Sequence, residues 1–137
     1  MCLGVQTLMQ IDRIDHLVLT VRDINSTCEF YSRILGMQVV SFGSDRKALQ
    51  FGHQKINLHQ ASKEFEPKAL NATPGSADIC LITATPLVRV IDYLISLNVE
   101  LLEPNAVRRT GATGMIESIY IRDLDGNLIE ISNYVEG

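Results

Sequence analysis

The sequence predicts an α+β fold in which two βαβββ modules follow one another and their paired sheets form an open, barrel-like cleft. Two observations carry this prediction. Each half of the chain runs strand, helix and three strands, and the second half repeats the first at nearly fixed spacing. The 137 residues, 46% of them hydrophobic, suffice for one domain with a substantial core. We expect that domain over residues 12–134, with modules at 12–61 and 76–134.

The first module opens with an aliphatic strand at residues 13–21, RIDHLVLTV. Ser26 and Glu29 have the spacing of a capping box, which predicts a helix from there to Gly36. Three short strands joined by polar or glycine-containing turns are expected next, at residues 37–42, 47–51 and 55–60.

A turn-rich segment at residues 62–76 predicts a linker to the second module. The second module has a strand at 77–83 and a helix that begins at Thr85-Pro86 and ends near Asn98. The Asp-Gly pair in RDLDGN favours a last hairpin turn. Its remaining strands are expected at residues 99–103, 115–121 and 127–132.

The two modules align residue by residue. A shift of 62 places His16 on Asp78, and it places Gly36 on Asn98. Beyond the glycine-containing insertion AVRRTGATG, a shift of 71 places His59 on Glu130. This pattern indicates internal duplication. The alternative is that two generic α+β halves resemble one another by chance.

Four strands of this plan have one wholly aliphatic face, and on the other face each carries one residue that ligates metals well. Since the repeat relates the positions in pairs, we expect the four side chains to converge. Two imidazoles and two carboxylates in an apolar cleft are typical of a transition-metal site, and a bound cation would compensate the buried charge of Glu130. The four residues are His16, His59, Asp78 and Glu130.

Each of these residues also has a structural interpretation. His16 and His59 could be hydrogen-bonded core histidines, and Asp78 could be a strand-start residue. Glu130 could pair with Arg122 instead of a cation. His53 is excluded from the set because it sits in a turn, roughly 20 Å back along the strand from His59 at about 3.3 Å per residue.

Composition excludes several classes of function. The net charge of −4 without a basic block argues against a nucleic-acid surface, and no apolar stretch is long enough to span a bilayer. The first ten residues lack the positive region of a secretory signal. The cysteines Cys2, Cys28 and Cys80 form neither a disulfide framework nor a metal motif. We therefore expect a cytoplasmic protein without nucleic-acid or membrane partners.

The segments IDHLVLTVRD, FYSRILGM, NLH and SIYIRDLDGNLIEISNY resemble the vicinal oxygen chelate superfamily, and most closely its glyoxalase domain-containing proteins. The resemblance implies paired modules around one divalent ion, often in a homodimer with one module from each chain. It matches His16 and Glu130 to family ligands. His59 stands where glyoxalase I enzymes often have glutamate, and Asp78 where they often have histidine. Leu124 also departs from the family's Asp-Pro-Asp-Gly turn.

The resemblance implies a metal-dependent enzyme of the glyoxalase I or lactoylglutathione lyase type, acting on a hemithioacetal such as that of methylglyoxal and glutathione. One divalent ion (Zn, Ni, Co, Mn or Fe) would bind per site. Glu130, or else His59, would move the proton. Arg108, Arg109 and Tyr120 are candidates for substrate binding, although the arginines could equally form a solvated loop pair.

Two other functions compete with this hypothesis. A non-catalytic module that binds or sequesters a small molecule would have a cleft without metal, in which His16 and Glu130 only form hydrogen bonds. Extradiol ring cleavage with Fe(II) fits two histidines and one carboxylate, but enzymes of that kind usually carry four modules, and this sequence has two.

Overall fold

The computed structural model describes residue 4 and residues 8–136. Each half contains one helix and four strands, in the order expected for a βαβββ module. None of the helices in this part of the chain is long and apolar enough to cross a membrane. The first half contains β1 (His16–Val21), α1 (Ile24–Arg33), β2 (Gln38–Phe42), β3 (Arg46–Phe51) and β4 (Gln54–Gln60). The second contains β5 (Asp78–Ile82), α2 (Leu87–Ser96), β6 (Val107–Thr110), β7 (Met115–Arg122) and β8 (Leu128–Tyr134).

The strands form two four-stranded sheets with the same topology. Sheet one has the order β1-β4-β3-β2, and sheet two has the order β5-β8-β7-β6. In each sheet the first and last strands of the module pair in parallel, and the other neighbours are antiparallel. This architecture confirms the predicted α+β fold with two tandem modules. Neither sheet closes into a barrel.

The helix of the first module begins earlier than its sequence suggests. Asp23 is the N-cap, and its carboxylate accepts hydrogen bonds from the Ser26 amide at 2.9 Å and from the Ser26 hydroxyl at 2.6 Å. The prediction that the helix starts at a capping box formed by Ser26 and Glu29 is therefore wrong. The cap lies three residues upstream, where an aspartate fills the same role.

The expected strand at residues 99–103 is also wrong. The Val99 amide bonds back to the Leu94 carbonyl and closes the end of α2, and residues 99–103 form no strand. Val99 and Leu101 pack against the core from this irregular segment, which explains its apolar pattern. The first strand after α2 is instead β6, which lies inside the stretch expected to be an insertion. It pairs with β7 in a hairpin, and in the turn of that hairpin the Gly111 amide donates to the Gly114 carbonyl.

Two amide side chains fix the correct alignment of the repeat. The Gln60 carbonyl oxygen accepts from the Ile24 amide at 3.2 Å, and its amino group donates to the Arg22 carbonyl. Asn133 does the same in the second module, accepting from the Leu87 amide and donating to the Thr83 carbonyl. Both side chains thus tie the last strand of their module to the start of its helix, and they are 73 positions apart.

The shift between the last strands is therefore 73, and the predicted shift of 71 is wrong. The parallel register agrees, since Leu17 pairs with Ile56 in sheet one and the equivalent Ile79 pairs with Ile129 in sheet two. The correction changes which polar residues are equivalent. Glu130 corresponds to Asn57, while His59 corresponds to Ser132.

A buried hydrogen-bond network joins the two modules. The Tyr31 hydroxyl on α1 donates to the Asp123 carboxylate in the last hairpin. Asp123 also accepts from the Asn127 backbone amide at 2.9 Å and from the Asn127 side chain at 2.8 Å. All three side chains are buried, so the carboxylate is compensated by several donors.

Replacing Tyr31 with Phe tests this network. The change leaves a buried carboxylate with one donor fewer, so the free energy of unfolding should fall by about 1 to 3 kcal/mol in urea titrations. The control is Tyr93→Phe, which also removes a hydroxyl that bridges to α1 but at a half-exposed position where water can replace it. Equal losses in the two variants would contradict a special role for the buried network.

Candidate functional site

Each sheet has one face packed on the core and one open face. In sheet one the side chains of Leu19, Val21 and Leu58 belong to the buried core, so strand alternation turns their neighbours to the opposite, open face. A cavity of about 620 Å³ lies on that face. Seven of the residues that line it come from the strands of sheet one: His16, Val18, Leu19, Thr20, Arg46, Asn57 and His59.

His16 is exposed at the start of β1, and one of its ring nitrogens forms a hydrogen bond. Its Nδ1 lies 2.8 Å from the Asp15 carboxylate, and because a carboxylate only accepts, Nδ1 carries the proton. This hydrogen bond is the main reason that the pKa of Asp15 is lowered. Carboxylates orient histidines that ligate metals through the other ring nitrogen by the same kind of contact.

His59 does not meet His16. In the parallel register His16 lies level with Lys55, and His59 lies level with Thr20, four residues further along. At roughly 3.3 Å per residue this separates the two histidines by about 13 Å along the strands. The expectation that both ligate one ion, with His59 as a possible base, therefore conflicts with the register.

The ring of His59 is occupied by other contacts. Only 3% of the residue is exposed, and its Nε2 lies 3.2 Å from the Arg46 guanidinium, which can only donate. His59 is thus neutral with Nε2 as acceptor. Burial is the main cause of its lowered pKa, and the positive charge of Arg46 lowers it further.

Asn57 is a site residue that the sequence interpretation missed. It is 5% exposed, its Oδ1 has no hydrogen-bond partner in the described structure, and it lines the same cavity as His16. A buried carbonyl oxygen without a partner is costly, which marks it as a ligand candidate. A sequence signal existed, since a shift of 73 aligns two aliphatic pairs, Ile56 with Ile129 and Leu58 with Ile131.

Glu130 lies on the open face of sheet two and is partly buried. The Ser118 hydroxyl donates to its Oε2 at 2.5 Å, and Ser118 lies 2.7 Å from the Ser132 hydroxyl. Arg122 instead donates to the Gly126 carbonyl, so the alternative pairing of Glu130 with Arg122 is not formed. Asp78 shares the open face at an exposed position, two residues before the level of Glu130.

Two of the three predicted substrate-binding residues lie beside Glu130. Tyr120 pairs directly with Glu130 across the strands, and its hydroxyl accepts from Arg109 Nε at 2.9 Å. Burial raises the pKa of Tyr120, the hydrogen bond from Arg109 opposes that rise, and the charge of Glu130 adds to it. Arg108 points to the other face of β6, where it lies 3.7 Å from Glu117.

The candidate metal-ligating residues form two half-sets, one on the open face of each sheet. His16 and Asn57 occupy, on sheet one, the positions that Asp78 and Glu130 occupy on sheet two. Within residues 8–136 no three histidine, cysteine or acidic side chains are close enough to hold a metal ion. A nitrogen donor, an amide oxygen without a partner and two carboxylates nevertheless suit a divalent cation once the halves are joined.

The chain therefore falls in the class of proteins built from two paired βαβββ modules. Each of its modules carries polar residues at matching levels of an open sheet face. The chain belongs to the Glyoxalase/Bleomycin resistance protein/Dioxygenase superfamily, whose family model matches residues 13–131. This membership confirms the resemblance to the superfamily that the sequence predicts.

Two curated relatives are similar over most of the chain. Virulence protein STM3117 of Salmonella typhimurium is 61% identical over 93% of this chain and 88% of its own length. Its crystal structure superposes with a TM-score of 0.91 over 93% of this chain and 100% of that one. The glyoxalase domain-containing protein RDO1 of Mycosarcoma maydis is 50% identical over 94% of this chain and 72% of its own.

More distant structures share the fold alone. Lactoylglutathione lyase of Agrobacterium tumefaciens is 18% identical with a TM-score of 0.69, over 90% of this chain and 95% of its own. The fosfomycin resistance protein of Listeria monocytogenes, in complex with Mn(II) and sulfate, is 21% identical with a TM-score of 0.64, over 92% and 93%. An antibiotic-binding protein from Streptomyces is 17% identical with a TM-score of 0.70, over 93% and 99%.

The lowered pKa of His59 predicts how stability depends on pH. The unfolded chain takes up a proton near pH 6.5 that the folded state binds only at lower pH, so the free energy of unfolding should fall as pH decreases below about 6.5. Arg46 and Lys68 oppose protonation of the ring, while Glu64 and Glu66 favour it. His59→Gln should flatten this pH dependence in urea titrations.

The control for this prediction is His53→Gln, because His53 is exposed in the turn before β4. That variant should keep the wild-type slope between about pH 5 and about pH 7. A slope that is unchanged in His59→Gln would show that His59 titrates as it does in the unfolded chain.

Proposed function

We propose that this protein is a metal-dependent enzyme of the glyoxalase I type, and that it works as a homodimer. In the dimer the open face of sheet one from one copy meets the open face of sheet two from the other. The observation that supports this is the division of the donors into His16 with Asn57 and Asp78 with Glu130, each half too small to hold an ion alone. Two copies related by a twofold axis would complete two equivalent sites.

The proposed ligands are His16 through Nε2, Asn57 through Oδ1, and the carboxylates of Asp78 and Glu130. Known proteins of this fold give context, since the Listeria protein is in complex with Mn(II) and the Agrobacterium protein is a lactoylglutathione lyase. The divalent ion (Zn, Ni, Co, Mn or Fe), when bound, would polarise the two neighbouring oxygens of the substrate and acidify the C–H bond between them.

Glu130 is the proposed base. Ser118 donates to its Oε2, which holds the carboxylate in place and leaves Oε1 to accept a proton. Acting on a hemithioacetal, Glu130 would take the proton from the carbon that carries sulfur and hydroxyl and return it to the neighbouring carbonyl carbon. The hydroxyl proton would pass to the oxygen of that carbonyl, so that the first carbon becomes the thioester carbonyl. The aldehyde adduct thereby becomes a 2-hydroxy thioester, and no other reactant is consumed.

Tyr120 and Arg109 would line the same part of the site. The hydrogen bond from Arg109 fixes the Tyr120 hydroxyl beside Glu130, and both Arg109 and Glu130 line a cavity of about 420 Å³ on sheet two. Arg109 would hold an anionic group of the substrate. Arg108 is not proposed for this role because it lies on the other face near Glu117.

A binding or sequestering module is the second candidate. It is favoured by the antibiotic-binding protein from Streptomyces that shares the fold. The two candidates differ in turnover, since a sequestering protein would bind a small molecule without converting it.

Mixing two damaged variants tests whether each site is built from two chains. His16→Ala damages the sheet-one half and Glu130→Ala the sheet-two half, so each variant alone should bind little manganese. Co-expressed in equal amounts, they should recover about a quarter of the wild-type metal content, because half the dimers are mixed and each has one intact site. Plasma emission on the purified protein gives the metal content. No recovery, or a monomeric mass in sedimentation with metal bound, would contradict the shared site.

The second test concerns the base itself. Glu130→Gln keeps the shape of the side chain and one oxygen donor but removes the proton acceptor. With matched metal loading, turnover of the methylglyoxal–glutathione adduct should fall by about 10² to 10⁴, the usual contribution of a positioned general base. Glu117→Gln, an equal charge change on the other face of β7, is the control and should keep wild-type turnover.

Retained turnover in Glu130→Gln would move the base to another residue. No turnover by the wild type with any of Ni, Co, Mn, Zn or Mg would reject the lactoylglutathione lyase reaction and favour the binding module.

A further inference from the structure

Arg46 at the start of β3 is held in an unusual environment. Its guanidinium lies between two aromatic rings, 4.9 Å from the centre of Phe42 and 4.8 Å from the centre of Phe65. It also donates to His59, which packs edge-on against Phe65 with ring centres 5.7 Å apart. Stacking of this kind fixes the plane of the guanidinium before any ligand arrives.

The charge of this guanidinium is not neutralised within the described chain. No aspartate or glutamate of residues 8–136 lies within ion-pair distance of it, although other basic residues in this part of the chain do have acidic partners. Its Nε is buried and has no hydrogen-bond partner. A buried donor on an unpaired cation is costly in free energy, and a bound anion would offset that cost.

Arg46 borders a cavity that is large enough to admit a ligand. Arg46, Asn57 and His59 line the sheet-one cavity, and the linker residues Pro67 and Lys68 line its other side. The ammonium of Lys68 already pairs with Glu64 at 3.2 Å, so Arg46 is the cation left to meet a ligand.

We propose that Arg46 is the anchor of a carboxylate-binding subsite in the sheet-one cavity, and that this subsite selects substrates with a carboxylate group. The planar guanidinium presents two parallel N–H groups to a carboxylate, which adds direction as well as charge. Phe42 and Phe65 keep this plane from turning away.

This inference rests on the proposed function only where it makes the bound carboxylate part of the substrate. His16 and Asn57 line the same cavity as Arg46, so a molecule anchored there would extend towards the proposed ligands. Binding of a carboxylate by metal-free protein does not depend on the proposed reaction, and the two ideas can therefore fail separately.

The test uses the full chain after treatment with EDTA and titrates it calorimetrically with succinate. Wild type should bind succinate but not succinamide, which has the same shape without charge. Arg46→Gln should weaken succinate binding by about 10- to 100-fold, and Arg46→Lys should also weaken it because an ammonium cannot form the paired contact. Arg33→Gln makes the same charge change on the exposed end of α1 and should bind like wild type.

A measurement on the wild type covers the case in which the Arg46 variants fail to fold. The Nε–Hε signal of Arg46 in two-dimensional NMR should shift on addition of succinate and stay in place on addition of succinamide. Succinate and succinamide that behave alike, or Arg46 variants that bind as wild type does, would overturn the subsite. Tighter binding of inorganic phosphate than of succinate would overturn the carboxylate assignment in favour of a phosphoryl group.

Discussion

The parallel pairing of the first and last strands within each module is the constraint on which the site depends. Its register sets the level of each side chain on the open faces, and it places Asn57 two residues beyond the level of His16 and Glu130 two residues beyond the level of Asp78. Gln60 and Asn133 hold this register by tying the last strand of each module to the start of its helix. A slip of one residue would turn every side chain of that strand to the opposite face.

The two modules carry different polar side chains at equivalent positions. Sheet one carries a histidine oriented by Asp15 and a buried amide, while sheet two carries two carboxylates. Because the two modules share one topology and register, the half-sets match in position although their residues differ. The Ser118 hydroxyl partly compensates the charge of Glu130, which helps a partly buried carboxylate to persist between Ile129 and Ile131.

Sequence patterns were sufficient for the fold but not for the register. Alternation of apolar and polar residues identifies the face on which a side chain lies, and by that criterion His59 and Asn57 are equivalent. Alternation cannot distinguish positions two residues apart, so an alignment at 71 instead of 73 kept His59 on the correct face at the wrong level. Asn57 was missed because an amide is a weaker metal signal than an imidazole. Arg46 was missed because its importance comes from contacts with Phe65, which is 19 residues away in the linker.

The central claim is that His16 and Asn57 of one copy share a divalent ion with Asp78 and Glu130 of another. Anomalous diffraction from crystals grown with manganese tests it most directly, because it locates the ion and its ligands together. We predict one ion between the open face of sheet one and the open face of sheet two from a second copy, with His59 outside its coordination. An ion held by residues of a single copy, or coordinated by His59, would contradict the account.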